Sequence, residues 1–244
     1  GNYSIDKAET IMFPSCVGRL LSGDSSGVSN ADYMIMLSNH VVGKLHVLEN
    51  YDNYCCGMSF DSHGQRATGR RMLEKLTNKL YRDSDNGRIP IVFDNSPCSY
   101  HIKDYLNRSK KNLIILDIIE YLDGIKEQYN ISPINKKYYA HASCSTEKMN
   151  LSNQFHSLMK TCISNVTQDQ DQKCCGAAGD KSLRHPGLSI YASNKLSFHD
   201  DCINGVSSSI TCEMGMSEAT GKNFTNIIPI FCEAAGLIKT VVEN

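Results

Sequence analysis

Eight of the eleven cysteines in this 244-residue chain fall into a pattern suited to holding a metal. Cys16, the adjacent pair Cys55-Cys56 with Gly57 behind it, and Cys98 form one set. Cys144, the pair Cys174-Cys175 with Gly176 behind it, and Cys212 form another. Adjacent cysteines make poor partners for each other because a disulfide between neighbours is strained, yet they can present two thiolates to one ion or cluster. Four thiolates satisfy a tetrahedral zinc ion or a conventional iron–sulfur cluster, and the spacing does not separate these. It departs both from zinc ribbons, where two residues separate each pair, and from ferredoxin runs. An odd cysteine count and the lack of a basic-then-apolar leader make metal binding a better reading than a disulfide framework.

Other residues near these motifs carry two readings. His101, three positions after Cys98, is an additional candidate ligand, whereas Gly215 at the matching position after Cys212 cannot ligate; a polar surface histidine is the alternative. His63, His141 and His185 stand in the same position. Cys162, Cys202 and Cys232 lie outside the repeated pattern in partly apolar segments and read as buried free thiols. Gly57 and Gly176 allow a tight turn after the paired cysteines or a close approach of the backbone to inorganic sulfur; an ordinary turn is the plainer account.

The elements that must position these groups also occur twice. Ile11–Ser15 before Cys16 matches Tyr138–Ser143 before Cys144, and Val92–Pro97 before Cys98 matches Val206–Thr211 before Cys212. A fourth apolar run follows in each copy, Leu113–Asp117 and Ile227–Phe231. Cys16 to Cys144 spans 128 positions, Cys55 to Cys174 spans 119 and Cys98 to Cys212 spans 114, so the second copy has shorter spacers, as duplication followed by loop loss would leave. Short β-prone runs alternating with helical stretches predict an α/β fold of two pseudo-repeated halves, 1–128 and 129–244. Each half should hold a small, mostly parallel sheet flanked by helices, with its cysteines on strand-end loops, where open α/β sheets place ligand sites. Helices are predicted over Gln65–Leu80, ending near Arg82–Gly87, over about Thr146–Cys162, and over Tyr121–Tyr129, with the boundary near Gln128–Pro133.

Composition excludes several functions. A 41% hydrophobic content allows an ordinary core, and a formal net charge of -1 gives no field to attract nucleic acid or an anionic membrane. No run of about 18 to 20 apolar residues exists to span a membrane, and the expected location is cytoplasmic. The sequons at Asn165 and Asn223 read as chance, and Arg70-Arg71 and Lys110-Lys111 as solvated faces. No serine has a nucleophile-elbow context, and no complete active site is legible.

The motifs resemble the cysteine-rich CCG domain family, which includes the cysteine-rich component of heterodisulfide reductase, the iron–sulfur component of glycolate oxidase and a component of a lactate-utilisation oxidoreductase. Phe13-Pro14-Ser15-Cys16-Val17-Gly18-Arg19, Ser96-Pro97-Cys98-Ser99-Tyr100, Cys174-Cys175-Gly176-Ala177-Ala178-Gly179-Asp180 and Thr211-Cys212-Glu213-Met214-Gly215 are similar to the C-terminal region of FAD-linked D-lactate or D-2-hydroxyacid dehydrogenases. The resemblance implies an electron-transfer domain holding iron–sulfur (4Fe-4S type) clusters on Cys16, Cys55, Cys56 and Cys98 and on Cys144, Cys174, Cys175 and Cys212. FAD and ferredoxin-like clusters would sit on preceding parts of a larger protein, with this chain a C-terminal piece lying in the cytoplasm or peripherally at the inner face of the membrane, and a quinone or another acceptor would take the electrons. In the family pattern each repeat ends with two cysteines separated by two residues; here His101 and Gly215 occupy the second position, a departure from the five-thiolate cluster of heterodisulfide reductase that leaves a four-thiolate cluster, a zinc site in one half or an empty site as the alternatives. A redox-silent zinc or docking module of the same larger enzyme is the alternative, and thiol exchange at the paired cysteines ranks last.

Overall fold

The computed structural model describes residues 9–21, 27–40, 45–109, 111–168, 174–177, 179, 181–197 and 202–238. Lys110, Ala178 and Asp180 lie outside them. The first half runs β1 (Thr10–Phe13), α1 (Cys16–Leu20), α2 (Asn30–Ser38), β2 (Leu45–Val47), α3 (Met58–Ser62), α4 (Arg66–Asp83), β3 (Ile91–Phe93), α5 (Ser96–Arg108), β4 (Ile115–Asp117) and α6 (Ile118–Ile125). The second repeats that order: β5 (Ile134–His141), α7 (Cys144–Lys148), α8 (Ser152–Cys162), β6 (Ile163–Thr167), α9 (Lys181–Arg184), α10 (Pro186–Ser193), β7 (Asn204–Ser207), α11 (Ile210–Thr220), β8 (Asn223–Asn226) and α12 (Ile227–Ala234).

Every strand pairing is parallel, and the two sheets have the same order, β2-β1-β3-β4 and β6-β5-β7-β8. The α/β fold with two like halves stands as the sequence predicts. β3 reads Ile91-Val92-Phe93 and is buried throughout, because helices cover both faces of a parallel sheet. α4 buries Gly69, Leu73, Leu76, Thr77 and Leu80, one stripe at helical spacing, while Arg70 pairs with Glu74 on the wet face. Register brings the last residues of neighbouring strands together: Phe13 lies opposite Phe93, their rings 5.0 Å apart, and His141 lies opposite Ser207, with Nδ1 3.3 Å from the hydroxyl. His141 is thus a buried structural residue.

Two expectations need correction. The helix predicted over about Thr146–Cys162 is two helices, α7 and α8. Asn150 takes a left-handed conformation (φ 59) between them and turns the chain. The run Ile227–Phe231 is not the counterpart of Leu113–Asp117; β8 is, and the isoleucines begin α12. Asn226 caps that helix by accepting the Ile228 N–H at 3.2 Å, as Asp117 caps α6 by accepting the Ile119 N–H at 3.0 Å.

The halves are packed reciprocally. α6 lies on α8 and α12 on α2, while α5 lies on α7 and α11 on α1. The largest apolar core spans both halves, drawing Met12, Met34, Val92 and Ile119 from the first and Phe155, Leu158, Val206 and Phe231 from the second, and a smaller core lies within each half.

Candidate functional site

In each sheet the chain turns from the first strand to one side and then crosses to the other, so the switch point lies between β1 and β3, or between β5 and β7. Ligands bind at such points, beyond the carboxyl ends of the strands. Cys16 follows β1 and Cys98 follows β3; Cys144 follows β5 and Cys212 follows β7. Cys16 and Cys144 open helices, and Cys55, Cys56, Cys174 and Cys175 lie in loops, whereas Cys98 and Cys212 sit in the first turns of α5 and α11 rather than on loops.

The first four thiols form a row. Cys16 Sγ is 3.7 Å from Cys55 Sγ, Cys55 touches Cys56, and Cys56 donates to Cys98 Sγ at 3.1 Å. The second four form two contacting pairs, Cys144 with Cys174 and Cys175 with Cys212. Number and chemical type fit a thiolate-bound metal or cluster in either half. They are arranged as a row in the first half and as two pairs in the second rather than as cages: among the described residues no three His, Cys, Asp or Glu side chains converge as metal ligands.

The first two thiols of each set are charged in the same way, whereas Cys56 is pushed up and its counterpart Cys175 is brought down, chiefly by contact with Cys212. Contact with Cys16, then with Cys56, and the Gly57 N–H hold Cys55 well below the ordinary thiol range, and contact with Cys144 and the Gly176 N–H bring Cys174 down to about 5. Their partners Cys16 and Cys144 are pushed up, chiefly by those same contacts and then by burial. Gly57 and Gly176 each donate a backbone N–H back to the first sulfur of their pair at 3.4 Å. Both glycines have positive φ, 80° and 74°. A Cβ would lie 2.3 Å from Gly69 O in the first copy and 2.7 Å from Leu188 O in the second, so these turns need glycine for conformation and for space.

The turn before the first cysteine is also built alike. Ser15 Oγ accepts the Gly18 N–H at 3.1 Å, and Ser143 Oγ accepts the Thr146 N–H at 3.3 Å. The Ser15 N–H donates to Asp94 Oδ1 at 2.9 Å; the Ser143 N–H donates to Ser208 Oγ at 3.0 Å. Asn95 joins the copies, its Nδ2 3.7 Å from Cys98 Sγ and its Oδ1 accepting the Ile210 N–H of α11 at 3.2 Å.

Sequence reasoning missed Arg19, Asp94 and Asn95. Arg19 stacks over the Tyr51 ring at 5.3 Å, donates to Tyr54 O at 3.4 Å and lends positive charge to Cys16, Cys55 and Asp94. Its signal was its place three residues after a motif cysteine. His101 lies one turn past Cys98 on α5, half-buried, its basicity lowered by burial, and within the field of Cys55. Cys162 and Cys232 are buried core thiols, each pushed up to about 12 by burial, and Cys202 is buried with its Sγ 3.3 Å from Asn204 O.

No curated protein matches the chain. Among solved structures, a glutamate racemase from Francisella tularensis in complex with D-glutamate is 11% identical, covering 96% of this chain and 84% of that one at a TM-score of 0.38. Another, from Thermus thermophilus in complex with β-chloro-D-alanine, is 9% identical, covering 98% and 85% at a TM-score of 0.35. Neither score supports an inference. The segment 138–217, which carries all four cysteines of the second set, matches the family model of the CCG cysteine-rich domain.

Proposed function

We propose that this chain is an electron-transfer module that binds an iron–sulfur centre in each half, Cys16, Cys55, Cys56 and Cys98 holding one and Cys144, Cys174, Cys175 and Cys212 the other. The observation that carries this reading is the recurrence of one thiol set, with one set of supporting hydrogen bonds, at both switch points. An iron–sulfur cluster supplies one-electron redox chemistry when bound. The chain's own residues supply the rest. The Gly57 and Gly176 amides and Arg19 balance thiolate charge. Buried Cys56, Cys98, Cys175 and Cys212 keep water from one side, while exposed Cys144 and Cys174 give the second site an edge toward an electron partner.

In the finer form of this proposal, motivated by the motifs around Cys16, Cys98, Cys174 and Cys212, the module serves an FAD-linked 2-hydroxyacid dehydrogenase acting on a D-lactate- or glycolate-like substrate. Residues 1–128 and 129–244 are the two copies. The substrate gives its hydride to FAD on another part of the enzyme, ferredoxin-like centres relay single electrons, and a quinone or similar acceptor takes them at the inner face of the membrane.

A structural zinc site is the second reading, favoured by one distance. A tetrahedron of sulfurs about 2.3 Å from zinc has edges of about 3.8 Å, and Cys16 and Cys55 are 3.7 Å apart. Anaerobic purification followed by iron, sulfide and zinc analysis, with visible and EPR spectra, separates the two. The electron-transfer reading expects a sulfide-containing chromophore that loses its share of iron in Cys55→Ser and in Cys174→Ser. Stoichiometric zinc without sulfide, or spectra that neither substitution alters, would sink it.

A further inference from the structure

The helices that follow the two CCG turns, α3 and α9, hold counterpart places in the two halves, and a cleft of about 190 Å³ opens between them. It is lined by Ser62 and His63 from the end of α3 and by Lys181, Arg184 and His185 from α9 and its end. His63 immediately follows α3 and His185 immediately follows α9, so the duplication delivers one imidazole from each copy. Arg184 Nη1 donates to His63 Nδ1 at 2.8 Å and ties the halves together across the cleft.

The lining is unusual for this chain. Overall charge is balanced, at a formal net of -1, yet none of the described lining residues is a carboxylate, and four of the five are basic. Asp61, the acid of α3, contributes its field to His101 on α5. A guanidinium, an ammonium, two imidazoles and a hydroxyl around one small space form a set of hydrogen-bond donors for an oxygen anion, and the guanidinium fork matches a carboxylate or phosphate with two parallel bonds. The volume lies below the usual range for drug-sized ligands and suits a compact group.

We propose that this cleft binds a small oxyanion, a carboxylate or phosphate group, with Arg184 and Lys181 as its charged anchors and His63 and His185 closing on it from matching positions. Its lining helices follow the two CCG turns in the chain, and Lys181 is near enough to favour the Cys174 thiolate. An anion held there therefore sits beside the second thiol set. The inference needs no metal in either set, so it stands or falls separately from the electron-transfer reading.

The test is a titration of the purified chain with sodium phosphate and, separately, sodium malonate, against sodium chloride at matched ionic strength. Binding is followed by heat and by the ring resonances of His63 and His185. Saturable one-to-one binding with Kd on the order of 1 mM is expected for at least one oxyanion, and the tighter of the two identifies the group. Arg184→Gln and Lys181→Gln should each weaken it about tenfold, and Lys181→Gln should leave thermal unfolding unchanged because its side chain is exposed, whereas Arg184→Gln also gives up the bond to His63; Arg88→Gln should bind as the parent does. Equal shifts with chloride, or variants at positions 181 and 184 that bind like the parent, overturn the proposal.

Discussion

Asp94 accepts the backbone N–H of Ser15 at 2.9 Å across 79 positions of sequence, and its other oxygen faces Gly18, where a Cβ would lie 2.1 Å away. The second copy solves the same packing with other residues. Ser208 stands where Asp94 does and Thr146 where Gly18 does, their hydroxyls 2.7 Å apart. A large acceptor is matched with no side chain, and a small acceptor with a larger one.

Gly18→Thr alone should therefore destabilise by about 1–3 kcal/mol through overpacking. Adding Asp94→Ser should recover at least half of that loss, a coupling typical of residues in contact. Urea unfolding of the parent, both single variants and the double variant measures it; additive effects would show that the two positions do not share this space.

Gly57→Ala meets both strain and collision, since φ is 80° and Gly69 O would lie 2.3 Å from the new carbon. Gly64 provides the comparison, with φ 77° and nothing within 4 Å of a Cβ. Gly64→Ala should cost about 1–2 kcal/mol for conformation alone. Gly57→Ala should cost about 1–3 kcal/mol more and should lower metal content where Gly64→Ala does not. Thermal unfolding with parallel metal analysis checks both parts.

Burial raises the Asp117 carboxyl to about 6, above its ordinary value of 3.8. The folded state then binds this proton more tightly than the unfolded state does, so the carboxyl's contribution is complete below about pH 4 and is lost as pH rises through about 6, a loss of roughly 3 kcal/mol. Asp117→Asn should keep the helix cap, as Asn226 does at the matching position, and should lose less stability between pH 4 and pH 7 than the parent. Urea midpoints at the two pH values decide it; identical pH slopes would contradict the assignment.

Cysteines inside and outside the repeated pattern should respond in opposite ways. Cys232→Ser places a hydroxyl in the core and should cost about 1–3 kcal/mol while leaving bound metal unchanged. Cys55→Ser, at a half-buried site, should scarcely alter stability of the metal-free chain but should reduce metal binding. Denaturant curves on chelator-treated protein, set beside metal stoichiometry, separate the two effects.

Much of this was legible in the sequence because ligand-type residues and β-prone runs recur in one order. The strands ending at Phe13, Phe93, His141 and Ser207 each precede a motif cysteine, and composition locates them. Asn150 hid the break between α7 and α8, since a left-handed asparagine inside an amphipathic pattern gives little local warning. The isoleucines after Asn226 were misplaced because an apolar run of that length has no clear period, and the cap that starts the helix is a single polar residue. Reciprocal packing of the halves was not legible at all: periodicity identifies the apolar face of a helix but not the helix it will meet. His63 and His185 were visible only as histidines near motifs, because their convergence depends on that packing.

The shared core also bears on how the molecule comes apart. With α6 seated on α8 and α12 on α2, the largest apolar core is shared between the copies, and each half keeps only a smaller interior of its own, around Phe13 and Phe93 in one and Tyr139 and Phe224 in the other, once its neighbour leaves. Heating should give one calorimetric transition rather than two. In thermodynamic terms the two like halves hold the greater part of their interior in common and are expected to come apart together.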